Sequence, residues 1–245
     1  MLKEAIEKIV SLADPHLYKV GDDTYTNTQL SRIKPVINRP TGITFASLDG
    51  VVKAIRTEIK RVTCPIFVSV SAHNKVEVFT TYREDNMERD TLYTAAPELP
   101  RRPGEWNTYD DAMIFLRSQY IQNEGTAYIL DLLSHISDDN NVQSNDNGLS
   151  QQVTVKQGIS LSAKAAVKPR VALKPFRTFL EVDQPESEFL LRLRPGDKES
   201  GTQAEIGLFE ADGGAWKLMA KHNIAAFFAD NLADLIEAGT VVVAE

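Results

Sequence analysis

The chain has 245 residues, 42% of them hydrophobic and 25% charged, proportions of an ordinary globular protein that exclude wholesale disorder and a fibrous repeat. It is long enough for one large domain or two small ones, and no apolar run approaches the roughly 18–20 residues of a membrane span. The net charge of -7 argues against a generic nucleic-acid coat, and the single cysteine, Cys64, excludes an internal disulfide and a cysteine-based zinc site, which points to a cytoplasmic protein.

The opening residues Met1-Leu2-Lys3-Glu4-Ala5-Ile6-Glu7 are amphipathic and carry acids, unlike a signal peptide. Leu2, Ile6, Ile9, Val10 and Ala13 share one face of a helix predicted over 2–13, which Asp14-Pro15 stops. Residues 16–46, with Pro35, Pro40, Gly21 and Gly42, read as irregular chain with short extended pieces. Ser47 caps a predicted helix over 48–62, whose apolar stripe is Leu48, Val51, Val52, Ile55, Ile59 and Val62. Ile66 to Ala72 and Lys75 to Tyr82 alternate around His73-Asn74 and predict a hairpin. After a loop marked by Pro97, Pro100 and Pro103, Thr108-Tyr109-Asp110-Asp111 resembles a capping box for a helix over 109–122, and a second helix is predicted over 124–136.

The Asp/Asn/Ser/Gln-rich stretch from Asp138 to Gln151 offers almost nothing to bury and reads as a flexible linker or loop. From Val153 to Val167 the sequence alternates with period two over 15 residues, far beyond a typical strand of about 5–6. Shorter strands are predicted at 170–174, 177–182, 188–194, 204–210 and 215–220, the last two joined by an Asp212-Gly213-Gly214 turn. A helix over 223–237 ends at Gly239, and Thr240 to Ala244 reads as a final strand. The expected class is therefore α+β: a helix-rich N-terminal half, then an antiparallel β-rich C-terminal half with a long β-arm and a C-terminal helix. The corresponding organisation is 1–137, a helical and hairpin region; 138–151, a polar linker or loop; and 152–245, a β-rich region, with one intertwined domain as the alternative.

Catalytic templates fail at named positions. Gly158-Ile159-Ser160-Leu161-Ser162 lacks the closing glycine of a nucleophile elbow and sits mid-strand. The Asn/Asp loop ending in Gly148 would place Gln143 and Thr154 where a calcium loop needs acids. His16, His73, His135 and His222 form no helical metal pair, and Glu58-Ile59-Lys60 places a nuclease-like acid-x-lysine on a helix rather than a strand. Cys64 reads as a small buried hydrophobe, and Trp216, alternating with Leu218, as core. No catalytic residue, cofactor or metal is expected, so the reading is non-enzymatic.

Charge order stands out instead. Between Gln151 and Leu180 there is no acid, while Lys156, Lys164, Lys168, Arg170, Lys174 and Arg177 give a local +6. Glu181, Asp183, Glu186 and Glu188 follow at once as an acidic counter-surface. Three readings stand open: a solvated sheet face whose lysines discourage edge pairing, a projecting β-arm laid on an acidic surface of a neighbouring copy, or a nucleic-acid strip with Phe176 and Phe179 for stacking.

The order of features resembles the YfdQ-like family of bacteriophage and prophage early-region proteins, whose function is unknown. The similar parts are the extended entry from Tyr18-Lys19-Val20 to Leu30, Thr44-Phe45-Ala46-Ser47-Leu48-Asp49 before a helix, Phe79-Thr80-Thr81-Tyr82 closing a hairpin, and Trp106-Asn107 leading to the Phe115 helix. Val153 to Lys156, Pro175-Phe176-Arg177-Thr178-Phe179, Gln184-Pro185 and Phe189 complete the match. The resemblance implies a phage or prophage origin and no catalytic residue. The resulting expectation is a homo-oligomer, a ring or shell among the forms open to it, joined through the basic arm in the bacterial cytoplasm, with no membrane partner. A nucleic-acid-binding accessory of recombination or replication, and a host-directed inhibitor or ligand sponge, are the alternatives.

Overall fold

The computed structural model describes residues 2–13, 15–21, 23–26, 39–82, 87–100, 104–135, 151–157, 161–196 and 201–245, and the chain divides into two units, Met1–Arg39 and Pro40–Glu245. The first unit holds the predicted helix α1 (Leu2–Ala13) and a hairpin of β1 (Leu17–Val20) and β2 (Asp23–Thr26), with Val20 opposite Asp23. Gly21 sits in its turn at φ 65°, a left-handed backbone that costs glycine no Cβ clash. The apolar side chains Leu2, Ile6, Ile9 and Val10 of α1 are exposed.

The second unit is built on two five-stranded sheets. Its first elements are β3 (Ile43–Phe45), α2 (Leu48–Glu58), a 3-10 turn over Ile59–Arg61, and β4 (Ile66–Ala72), β5 (Lys75–Thr80) and β6 (Thr91–Ala95). Next come β7 (Trp106–Thr108), α3 (Tyr109–Ser118), β8 (Tyr120–Ile121) and α4 (Glu124–His135). Then follow β9 (Gln151–Gln157), β10 (Leu161–Val167), β11 (Arg170–Pro175), β12 (Ser187–Arg194), β13 (Glu205–Glu210), α5 (Ala215–Asn231), α6 (Ala233–Glu237) and β14 (Val241–Ala244).

The first sheet has the order β14-β4-β5-β6-β3, with β14 parallel to β4 and β3 parallel to β6. Ser47 caps α2 by accepting the Gly50 N–H at 3.2 Å, and the helix turns Leu48, Val51, Val52 and Ile55 inward. They meet the inward rows Ile66, Val68 and Val70 of β4 and Val76 and Val78 of β5, together with Ile224 and Phe228 of α5. The second sheet, β7-β13-β12-β11-β8, is antiparallel throughout. Its core joins Leu173, Phe189, Leu191 and Ile206 to Phe115 and Leu116 of α3 and Ile129 and Leu133 of α4. Both helices start on side-chain caps: Thr108 accepts the Asp111 N–H, and Asn123 and Thr126 exchange bonds from each backbone N–H to the other's side chain.

The expected division into a helix-rich N-terminal half and a β-rich C-terminal half is not the architecture. Up to His135 the described residues hold four helices but also eight strands, and the longest helix, the 17-residue α5, comes late. The predicted hairpin around Asp212-Gly213-Gly214 is in fact the entry to that helix. Asp212 accepts the Gly214 N–H at 2.9 Å and the Trp216 N–H at 3.2 Å, satisfying first-turn donors. Trp216, Ala220, Ile224 and Phe228 then bury one helical stripe while Leu218 is exposed, so the Trp-x-Leu alternation was too short to mark a strand. Trp216 is nonetheless core, as expected.

The long arm is also corrected. The alternating run folds back into β9 and β10, seven residues each and about 23 Å long, rather than continuing as one strand. Residues 138–150 and 158–160 lie outside the described residues.

Candidate assembly surface

Strands β9 and β10 form a two-stranded sheet of their own, in register from Leu161 opposite Gln157 to Val167 opposite Gln151. The root of this ribbon is held by the second core. The Gln151 side chain accepts the Leu193 N–H at 3.0 Å and donates to the Leu193 carbonyl at 3.3 Å, in the manner of one more backbone pair beside β12. Val167 is 3% exposed within that core, and the Lys168 N–H donates to the Tyr128 hydroxyl of α4 at 2.9 Å. The register places Gln151, Val153, Val155 and Gln157 with Leu161, Ala163, Ala165 and Val167 in one alternating set of positions, of which Gln151 and Val167, at the root, are buried. Lys156 and Lys164 belong to the opposite set, and their side chains lie outside the described residues.

The six basic residues do not share one surface. Lys168 is exposed, with Nζ 4.8 Å from the Tyr128 ring centroid. Arg170 opens β11 and pairs with Glu188 of β12 at 2.9 Å, both side chains exposed. Lys174 is half-buried beside β8, opposite Ile121. The strip then ends, because Pro175 closes β11 and the chain crosses to the first sheet. Arg177 is buried at 1% exposure, stacked 3.9 Å from the centroid of Trp216. It donates to Glu210 at 3.1 Å, the Ser187 hydroxyl at 2.6 Å and the Pro185 carbonyl at 3.1 Å. Its charge is neutralised internally by Glu210, whose other oxygen accepts the Trp216 indole N–H at 3.2 Å. Phe179 is fully buried in the first core, so it is closed to base stacking; Phe176 is half-buried.

The acidic residues are largely tied to their own chain. Glu181 accepts the Leu48 N–H at 2.7 Å and so adds a second cap to α2. Glu186 accepts from the Asn123 side chain at 3.2 Å, and Glu188 holds Arg170. Asp183 is exposed, its carbonyl accepting from Asn223 at 3.0 Å.

Sequence reasoning missed Gln151, Tyr128, Glu210 and Ser187 as parts of this region. Their partners lie 42, 40, 33 and 10 residues away, beyond any local periodicity. Among the described residues no cluster of three or more His, Cys, Asp or Glu is placed to hold a metal ion, and no helix is long and apolar enough to cross a membrane. No protein-family model matches the chain, and no curated protein or solved structure matches it.

Proposed function

We propose that this protein is a non-enzymatic, phage- or prophage-encoded component that assembles with copies of itself, the β9–β10 ribbon of one copy seating on the next. The observation that carries the reading is the ribbon itself: rooted in the second core, where the Gln151 side chain bonds to Leu193 of β12, yet a member of neither five-stranded sheet by backbone pairing among the described residues. A two-stranded hairpin is marginal alone in water and gains stability when a third strand or an apolar surface covers it. By register, Val153, Val155, Ala163 and Ala165 share the set of positions that starts at Val167 and Gln151, and Lys156 and Lys164 fall in the other set; this apolar-against-basic division of the sequence supports a covered ribbon. The sequence resemblance supports the phage origin. Neutralisation of Arg177 by Glu210, pairing of Arg170 with Glu188 and burial of Phe179 favour assembly over nucleic-acid binding, because each removes a group the nucleic-acid strip requires.

The test is native mass by light scattering on a sizing column at low and high salt, with the 260/280 absorbance ratio of each peak. The expected result is a species several times 27.2 kDa, free of nucleic acid. Reversal of Lys164, Lys168 and Arg170 to Glu is expected to dissociate it. A clean 27.2 kDa species refutes assembly, and a triple variant that keeps its mass while losing bound nucleic acid refutes the role given to the ribbon.

A further inference from the structure

The acids that follow the basic stretch in sequence are largely tied to their own chain, so a neighbour's ribbon needs its counter-charge from elsewhere. The C-terminal segment supplies it. From Asn223 to Glu245 there is no lysine or arginine, while Asp230, Asp234, Glu237 and Glu245 carry four carboxylates. Asp234 holds Arg56 at 2.8 Å and Glu245 meets His222 at 3.6 Å, but Asp230 and Glu237 are exposed and form no ion pair among the described residues. These acids lie around an open strand edge. β14 covers β4 and is itself the outermost strand of the first sheet, and its four residues make it the longest edge strand of the two five-stranded sheets among the described residues. It reads Val241-Val242-Val243-Ala244, with no proline, charge or bulge of the kind that guards an edge. The Ile66 N–H donates to the Thr240 carbonyl at 3.0 Å, which sets the parallel ladder: Thr240, Val242 and Ala244 turn their backbone groups to β4, and those of Val241 and Val243 point to the open side. Glu237, the last residue of α6, and Glu245 bracket the strand at its two ends.

The two faces of this edge differ in a way that orients whatever joins it. Val241 and Val243 pack on the first core with α5 and α6, the side on which Glu245 reaches His222 of α5. On the other face Val242 is 40% exposed and stands in register with Phe67, whose ring stacks on Phe79 beside the Arg89 guanidinium. A ribbon laid on this edge with Val153, Val155, Ala163 and Ala165 on the Val242 face carries Lys156 and Lys164 to the helix side, toward the carboxylates. The opposite orientation brings both lysines to the face that holds Arg89, where like charges repel. We infer that the β9–β10 ribbon of one copy adds to the β14 edge of the next, as further strands of its first sheet. Main-chain bonds to Val241 and Val243 supply affinity, and the acids around the edge select the basic ribbon. This rests on the assembly reading above and names the surface on which the ribbon seats.

The experiment measures the native mass of the full chain against protein concentration, with far-UV circular dichroism as the control for folding. Val243→Pro removes an N–H that points to the open side, where an edge strand accommodates proline, and is expected to abolish assembly. Glu237→Lys with Glu245→Lys changes exposed side chains only, and it carries the test should Val243→Pro fail to fold. It is expected to raise the concentration of half-dissociation about tenfold. Lys156→Glu with Lys164→Glu is expected to do the same, and all four changes in one chain to restore assembly, as pairing between copies requires and a purely structural role does not. A wild-type chain of 27.2 kDa would refute the assembly reading and this inference together. A wild-type assembly that ribbon reversal weakens, but whose mass the β14 variants leave unchanged, would keep the assembly reading and overturn this inference. Failure of the fourfold variant to recover would overturn it as well.

Discussion

Removing the carboxylate of Glu210 tests the junction that fixes Arg177 between the two sheets. In Glu210→Ala the buried guanidinium keeps Ser187, Pro185 and the Trp216 face, but loses its counter-charge, and the Trp216 indole loses its acceptor. A charged hydrogen bond contributes about 1.5–3 kcal/mol and a neutral one about 1 kcal/mol. Breaking a fully buried pair costs about 3–5 kcal/mol, but the Glu210 side chain is 31% exposed, so water reaches the vacancy. These bounds give a loss of about 3 kcal/mol, or about 6–12 °C in Tm for a chain of this size. Arg177→Met removes the buried charge itself and leaves Glu210 solvated, for about 2 kcal/mol. In the double variant the second change costs only the indole bond, so its total is about 3 rather than 5 kcal/mol, a coupling of about 2 kcal/mol. Thermal and urea unfolding followed by far-UV circular dichroism measures all four corners of the cycle. Additivity within about 0.5 kcal/mol would show that Arg177 and Glu210 do not act as a pair.

Gly125 in α4 faces β11 so closely that a Cβ would overlap the Ala172 carbonyl oxygen, and Gly125→Ala is expected to cost about 2–3 kcal/mol by forcing helix and strand apart, read by urea unfolding. Asp212→Ala strips acceptors from the first turn of α5 and is expected to cost about 1 kcal/mol in the same assay. Tyr93 has a raised pKa in the folded protein, chiefly by burial and then by Glu58, so the native state retains a proton that the unfolded chain loses above about pH 10. Its contribution is complete below that pH and falls as pH rises beyond it; Tyr93→Phe is therefore expected to flatten the alkaline loss of stability, and equal slopes for the two proteins would contradict this.

The elements that sequence reasoning placed best are those whose signal is wholly local. Ser47 and the stripe Leu48, Val51, Val52, Ile55 define α2; Thr108 opens α3; and alternation about His73-Asn74 gives β4 and β5. A helix over 223–237 was half of the truth, because its upstream turns, from Ala215, were hidden by glycines that resemble a hairpin turn. Charge order located the ribbon but misjudged its continuation. Arg177 follows five other cations in an acid-free stretch, and nothing local distinguishes it from them. Its burial is decided by Glu210 and Trp216, which arrive from β13 and α5. From sequence Cys64 reads as a small buried hydrophobe; it is half-buried, at a bend between the turn after α2 and β4.

The way the two sheets share the chain bears on the order in which they form. Every strand of the second lies between Trp106 and Glu210, nested within the span that builds the first. The β4–β14 pair, by contrast, brings Val241 to Ile66, and closing an unstructured loop of that length carries an entropic cost of about 4.6 kcal/mol. Once the nested sheet has folded, much of that loop is already compact and the ends are closer. Its crossing segment also delivers Phe179 and Val182 to the first core. Folding from the nested sheet outward is thus the cheaper route, with β14 docking as a late step that seals one edge of the first sheet.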